Sequence, residues 1–174
     1  MGEKGSEMAK ALKVTKKSKT RKYRAHRSGT VSARMPGMKG PVFEAFVRNA
    51  ATTTKKIDLI RGGVVARVVN DMVEYLDVPK NVIFGLLHTP ESTAHKLIKD
   101  NRTLDSAASE RVVRVADITR MAQETFGGRD PATKWLKSRN RALAGVTPLS
   151  MLDTEPGAGE VRRVLSSINY GGVF

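Results

Sequence analysis

Apolar side chains that recur every three or four residues, in segments that stop at glycine or proline, constrain the fold of this chain most strongly. The clearest run is Val65, Val68, Val69, Met72, Val73 and Leu76. This spacing lines one face of an α-helix, which has 3.6 residues per turn. Valines also suit a strand, but the charges at Arg67, Asp71 and Glu74 fall at helical spacing. We therefore predict a helix that ends near Asp77 and Pro79.

Further segments with the same pattern predict an all-α fold. Short helices are expected at residues 57–61, from Pro79 to Leu87 and from Glu91 to about Lys99. A longer helix should follow an N-cap at Asp105 or Ser106 and end at Gly127-Gly128. The Pro/Gly-rich residues 35–41 mark a boundary before the first apolar cluster. We predict an arm at 1–40, a helical domain at 41–128 and a second domain at 129–174.

The two short helices around His88-Thr89-Pro90 have the size of a helix-turn-helix. In that motif the first helix braces against the DNA backbone and the second places its N-terminal side chains in the major groove. The candidate DNA-binding residues are Ser92, Thr93, His95, Lys96, Lys99 and Arg102. Plain packing of two amphipathic helices is the alternative, and His88 occupies a turn position that glycine accommodates more easily.

Positive charge is concentrated at the N-terminus. Residues 1–40 hold 12 Lys and Arg against Glu3 and Glu7, so they carry +10 of the net charge of +14. They have few large apolar side chains and no sustained period, which predicts a flexible arm that does not fold alone. Such an arm binds DNA or RNA by counterion release without selecting a sequence. A solvated tail or a membrane-surface patch are the alternatives.

Composition argues against several classes of function. The chain has no cysteine, which excludes disulfides and thiolate chemistry, and we assign neither His88 nor His95 a carboxylate at ligand spacing, so no metal or cofactor is predicted. No apolar run approaches the roughly 20 residues of a membrane span, and no signal peptide is recognisable, which predicts a cytoplasmic protein. Asp153 and Glu155 lie in a helix-breaking turn without a base or nucleophile, so we do not predict an enzyme.

The C-terminal region combines strong local signals with an unusual end. Asp130 and Pro131 predict the start of a helix, and Thr147-Pro148 predicts a second start. The turn at 153–157 should begin a final helix whose apolar stripe is Val161, Val164, Leu165 and Ile168. Chain ends are normally polar, so the terminal Val173-Phe174 either folds back onto the core or is reserved for a partner.

A long motif in this region carries a resemblance to a known family. The motif residues are Trp135, Leu136, Asn140, Ala142, Leu143, Gly145, Pro148, Leu149, Leu152, Asp153, Thr154 and Gly157, then Val161, Leu165, Ile168, Tyr170 and Gly171. They resemble the toxin-binding domain of the Xre/MbcA/ParS antitoxins, with Met151 standing where leucine is commoner. The resemblance extends more loosely back to about Ile57, where this family carries an Xre-like helix-turn-helix.

The resemblance implies an antitoxin for a RES-domain toxin, an ADP-ribosyltransferase-like enzyme that depletes or uses NAD. It implies that the C-terminal region occludes the toxin's active site and that the antitoxin, as a dimer on operator DNA, represses its own operon. The toxin-binding residues would be Arg162, Arg163, Ile168, Asn169, Tyr170, Val173 and Phe174.

In this picture the apolar face of the final helix buries area against the toxin, and Arg162 and Arg163 complement acidic groups. Asp153, Thr154 and Gly157 are interpreted as a structural turn that caps the helix rather than as contacts. A stand-alone, basic nucleic-acid-binding regulator without a toxin partner is the alternative, motivated by the net charge of +14.

Overall fold

The computed structural model describes residues 42–49 and 51–171, and within them the predicted all-α fold is confirmed. The helices are α1 Val42–Arg48, α2 Thr53–Gly62, α3 Val68–Leu76, α4 Lys80–Leu87, α5 Glu91–Lys99, α6 Ser106–Phe126, α7 Arg129–Lys137 and α8 Glu155–Asn169, with 3₁₀ turns at Arg141–Leu143 and Pro148–Met151. The predicted arm at 1–40 and the terminal Val173 and Phe174 lie outside the described residues. In the described part, no helix is long and apolar enough to cross a membrane.

Helix α6 is the central element, and its local signals act as predicted. The Asp105 side chain accepts a hydrogen bond from the Ala108 N–H at 2.7 Å, which caps the N-terminus. Gly127 ends the helix with φ +79°, a left-handed conformation that favours glycine. Helices α1, α2, α4, α7 and α8 all pack against α6. Ala108, Val112, Val115, Ile118 and Ala122 line one side of the helix and are buried in the core, and Phe126 at its end is partly buried.

Two boundaries before α4 differ from the predictions. Helix α2 begins at Thr53 rather than near Ile57, because the Thr52 side chain caps it. Helix α3 begins at Val68 rather than Val65, because residues 64–66 run antiparallel to residues 102–104. The Ala66 N–H donates to the Arg102 carbonyl and the Leu104 N–H to the Val64 carbonyl, both at 2.8 Å. A backbone contact so distant in sequence leaves no periodic signal.

The starts of the C-terminal helices follow the threonine signals but not the aspartate signal. Thr147 and Thr154 accept hydrogen bonds from the N–H groups of Ser150 and Gly157, as their cap positions predict. Asp130 is not the N-cap of α7, because the helix already begins at Arg129. Its carboxylate lies in the first turn, where negative charge is favourable beside the helix dipole.

Helix α8 packs its apolar face into the protein's own core. Val161, Val164 and Leu165 are fully buried, and Ile168 is partly buried against the same cluster. Burying side chains of this size stabilises the fold by about 1.5–3 kcal/mol each. This corrects the expectation that the apolar face contacts the toxin, because α6 and the 3₁₀ turns already cover it.

Candidate functional site

Helices α4 and α5 are joined by a tight turn at His88. The residue has φ +51°, so it takes the left-handed conformation that glycine would adopt more easily. The N–H of Thr89 donates to the Phe84 carbonyl at 3.0 Å, which satisfies the end of α4. The His95 ring packs edge-on against Phe84, with centroids 5.5 Å apart, and holds α5 against α4. The geometry is that of a helix-turn-helix.

All of the predicted DNA-binding side chains are exposed. Ser92, Thr93, His95, Lys96, Lys99 and Arg102 are open to solvent. Ala94 is buried on the opposite side of α5, and Leu97 and Ile98 are partly buried there. Within residues 42–49 and 51–171, Lys96, Lys99 and Arg102 form no ion pair, so their charge is available to phosphate.

His95 has a carboxylate neighbour on its own helix. Glu91 lies one helical turn before it, and Glu91 Oε1 approaches His95 Nε2 at 3.3 Å. The expectation that His95 has no carboxylate at ligand spacing was therefore wrong. One carboxylate beside one imidazole does not make a metal site, and the part of the chain that the structure describes contains no cluster of three or more such ligands.

Arg111 of α6 joins the helix-turn-helix to the turn before α8. Its Nη1 and Nη2 donate to the Leu87 carbonyl at 3.4 Å and to His88 Nδ1 at 3.3 Å. Its Nε donates to the Asp153 carbonyl at 3.3 Å, and His88 Nε2 lies 3.4 Å from Asp153 Oδ2. Because arginine only donates, Nδ1 of His88 accepts and the Nε2–H group faces Asp153. Spacings of 23 to 65 residues hide this cluster from sequence patterns.

Arg114 lies on α6 three residues after Arg111. It contacts the loop before α8 from the buried side. It is buried, and its Nη1 donates to the Leu152 carbonyl at 3.2 Å. Glu110 pairs with it at 2.5 Å, and Glu155 lies 3.0 Å from its Nε, close enough for an ion pair but not aligned for a hydrogen bond. Glu155 also accepts from Arg162 at 2.7 Å. That bond, with help from Arg114, lowers the pKa of Glu155 against the opposing effect of burial.

The predicted toxin-binding residues that the structure describes differ in their surroundings. Arg162 and Arg163 are paired with Glu155 and Glu160 at 2.7 and 2.6 Å, so their charges are compensated within α8. At the end of the helix, Asn169 is exposed and the Tyr170 side chain is 90% exposed. Ile168 packs on the core instead.

Helix α7 is bound to the end of α3 through side chains that lie more than 50 residues apart in the sequence. The Arg129 guanidinium lies 4.2 Å from the centre of the Tyr75 ring and donates to the Glu74 and Tyr75 carbonyls. Lys137 Nζ donates to Asp77 Oδ2 at 2.7 Å and to the Asp77 carbonyl at 3.1 Å. The Lys137 ammonium lowers the pKa of Asp77. A cavity of about 330 Å³ opens at this junction.

Comparison with known proteins decides the family. Residues 56–117 match the antitoxin Xre-like helix-turn-helix domain, and residues 121–171 match the antitoxin Xre/MbcA/ParS C-terminal toxin-binding domain. The Prs ADP-ribosylating antitoxin of Sphingobium sp. (strain YBL2) is 30% identical over 151 residues, which are 82% of this chain and 95% of that protein. The chain belongs to the Xre/MbcA/ParS antitoxin family.

Other relatives of this antitoxin match over shorter stretches. Antitoxin Xre of Pseudomonas putida is 34% identical over 82 residues, 47% of this chain and 52% of that protein. Antitoxin Xre of Photorhabdus laumondii is 41% identical over 64 residues, 36% of this chain and 43% of that protein. The family resemblance stated from the C-terminal motif is confirmed. The antitoxin has a helix-turn-helix domain and a toxin-binding domain, and its partner is a toxin.

Proposed function

We propose that this antitoxin neutralises a RES-domain toxin by inserting the C-terminal end of α8 into the toxin's active site. The observation that supports it is Tyr170, an aromatic side chain that is 90% exposed at the end of a helix whose other face is buried. A rigid helix that presents an aromatic side chain loses little conformational entropy on binding, and such side chains dominate binding energy at interfaces. Asn169 beside it offers polar contacts, and Val173 and Phe174 follow shortly after it in the sequence.

The chemistry of the toxin is proposed from the family and from one relative. The name of the Sphingobium relative joins an antitoxin to ADP-ribosylation of Prs. A toxin that resembles ADP-ribosyltransferases and consumes NAD fits that name. Arg162 and Arg163 belong to the proposed interface as well, where carboxylates of the toxin would replace Glu155 and Glu160 as partners.

The test of occlusion must leave the buried face of α8 in place. Deletion of residues 160–174 would remove Val161, Val164 and Leu165 from the core and would unfold the domain. Tyr170→Ala and a chain that ends at Asn169 remove only exposed residues and the terminal segment. We expect both variants to lose neutralisation when co-expressed with the neighbouring toxin gene. Loss of an interface anchor costs about 2–4 kcal/mol of binding free energy, or a roughly 30-fold to several-hundred-fold weaker complex.

Val146→Ala is the matched control, because Val146 is also an exposed apolar side chain of the toxin-binding domain. It should leave neutralisation and toxin affinity unchanged. Full neutralisation by the chain that ends at Asn169, with its helix content retained, would contradict occlusion by this end.

We also propose that the antitoxin represses its own operon as a dimer, with α5 as the recognition helix. The exposed face of α5 supports this role, and so do Lys96 and Lys99, which form no ion pair with the carboxylates of residues 42–49 and 51–171. Ser92→Ala combined with Lys96→Ala should derepress a reporter driven by the antitoxin's own promoter, while toxin neutralisation is retained. The match to a toxin-binding domain at residues 121–171 favours this function over a stand-alone regulator.

A further inference from the structure

The toxin-binding domain has a cationic surface that is separate from the C-terminal end of α8. Helix α7 and the loop after it carry Arg129, Lys134, Lys137, Arg139 and Arg141, with Asp130 as the only acidic residue of that stretch. Lys134, Arg139 and Arg141 are exposed. None of these three forms an ion pair with any carboxylate of residues 42–49 and 51–171. The available positive charge of the domain therefore lies here rather than at Arg162 and Arg163.

This surface lies beside the start of the helix-turn-helix. Lys137 reaches the carbonyl of Asp77 at 3.1 Å, and α4 begins three residues later at Lys80. The first helix of a helix-turn-helix crosses the DNA backbone, and helix N-termini are common phosphate contacts. Lys134 and Lys137 also line the cavity of about 330 Å³ between α7 and the end of α3. Lys134 and Lys137 therefore lie next to the end of α3, close to the helix that would cross the DNA backbone.

We propose that Lys134, Arg139 and Arg141 bind the phosphate backbone of DNA that flanks the base pairs read by α5. The proposal rests on the operator binding proposed above and extends its footprint into the toxin-binding domain. Trp135, the aromatic side chain of α7, packs against Phe126 with ring centroids 5.3 Å apart. It is partly buried against the protein's own core rather than presented in full as an anchor, which favours phosphate over a protein partner. Contacts of this kind add affinity and register but no sequence preference.

The test is a salt series on the full-length antitoxin and on the triple variant Lys134→Gln, Arg139→Gln and Arg141→Gln. The probes are a duplex from the region upstream of its own gene and an unrelated duplex of equal length. The slope of log affinity against log salt should become shallower by about 0.9 for each phosphate that the variant no longer neutralises, up to about 2.7 for all three. Both duplexes should weaken by the same factor, because phosphate contacts carry no sequence information.

A control triple variant removes the same charge from paired cations. Arg48→Gln, Lys56→Gln and Arg120→Gln break pairs with Glu44, Asp117 and Glu124. The slope of this control should stay within about 0.9 of the wild-type slope, the equivalent of one phosphate. Thermal melting by circular dichroism checks that both triples are folded. If the two triple variants change the slope equally, net charge accounts for the effect and the proposal of a phosphate-binding surface is wrong.

The remaining outcomes separate this proposal from the operator proposal. If Lys134→Gln, Arg139→Gln and Arg141→Gln together leave the salt slope unchanged, the proposal of a phosphate-binding surface is overturned. The proposal that the antitoxin represses its own operon is not affected by that result. Loss of toxin binding with an unchanged slope assigns the surface to an acidic face of the toxin and also overturns the proposal. Equal wild-type affinity for both duplexes overturns operator recognition, and the slope still decides the surface. A wild-type antitoxin that binds neither duplex overturns both proposals.

Discussion

His88 adopts a strained backbone conformation, and its side chain connects the helix-turn-helix to the loop before α8. Its φ of +51° is left-handed, and for a residue with a Cβ atom that conformation costs roughly 1–2 kcal/mol. The ring contacts to Arg111 and Asp153 are 3.3 and 3.4 Å long and partly exposed, so they offset little of this cost. The turn before α5 therefore keeps a strained residue whose side chain reaches the toxin-binding domain.

Replacement of His88 by glycine and by alanine separates the strain from the contacts. Both variants remove the imidazole ring, but only His88→Ala keeps a Cβ atom in the left-handed conformation. We expect His88→Gly to be more stable than His88→Ala by about 0.5–1 kcal/mol after the greater freedom of glycine in the unfolded chain is included. Urea unfolding measures the difference. Equal stabilities would show that the turn is not left-handed in solution.

At the scale of elements, the turn before α8 explains why its motif needs a glycine. A Cβ atom on Gly157 would lie 2.2 Å from the Met151 carbonyl oxygen, a backbone atom that cannot move aside alone. Thr154 caps the same first turn by accepting from the Gly157 N–H at 3.3 Å. The interpretation of Thr154 and Gly157 as structural residues is confirmed. They set the direction in which α8 leaves the core and therefore where Tyr170 ends.

Two glycines of α8 form a matched pair for testing this packing. Gly157→Ala should destabilise the protein by about 1–3 kcal/mol, because the backbone near Met151 must shift to accommodate a methyl group. Gly159→Ala has open space around it and should stabilise the helix by up to about 1 kcal/mol through higher helix propensity. Thermal unfolding of both variants measures the contrast. A Gly157→Ala protein as stable as Gly159→Ala would contradict the close approach.

At the scale of the whole molecule, α6 is shared by the two functional regions. The helix-turn-helix match ends at residue 117 and the toxin-binding match begins at residue 121, both inside α6. From this helix, Arg111 and Arg114 donate to the carbonyls of Asp153 and Leu152. The regions at 41–128 and 129–174 therefore share one core, and cutting the chain between them would expose apolar surface on both sides.

The basic arm at 1–40 belongs to the same scale, because it carries +10 of the net charge of +14. Deletion of these residues removes 12 Lys and Arg. We expect the salt dependence of DNA binding to become shallower by about 0.9 for each phosphate that the arm neutralises in the full-length protein. Toxin neutralisation should be unaffected. A gel-shift salt series on the full-length and arm-deleted antitoxin measures the slope, and an unchanged slope would reduce the arm to a solvated tail.

Local signals in the sequence predicted most of the elements and the family. Caps such as Asp105 and Thr154, and the terminator Gly127, act through bonds within four residues, so they can be recognised without a structure. The Trp135-to-Gly157 motif identified the toxin-binding domain through its resemblance to the family. Apolar periodicity correctly indicated which face of α8 is apolar.

Contacts between distant residues could not be inferred in this way. The pairing of residues 64–66 with 102–104 moved the start of α3, and the Arg111, His88 and Asp153 cluster joins three elements. Periodicity shows that a helix face is apolar, but not whether the protein itself or a partner covers it. Folding covered the α8 stripe and left Tyr170 in solvent, because the nearest apolar surface belongs to α6 of the same chain.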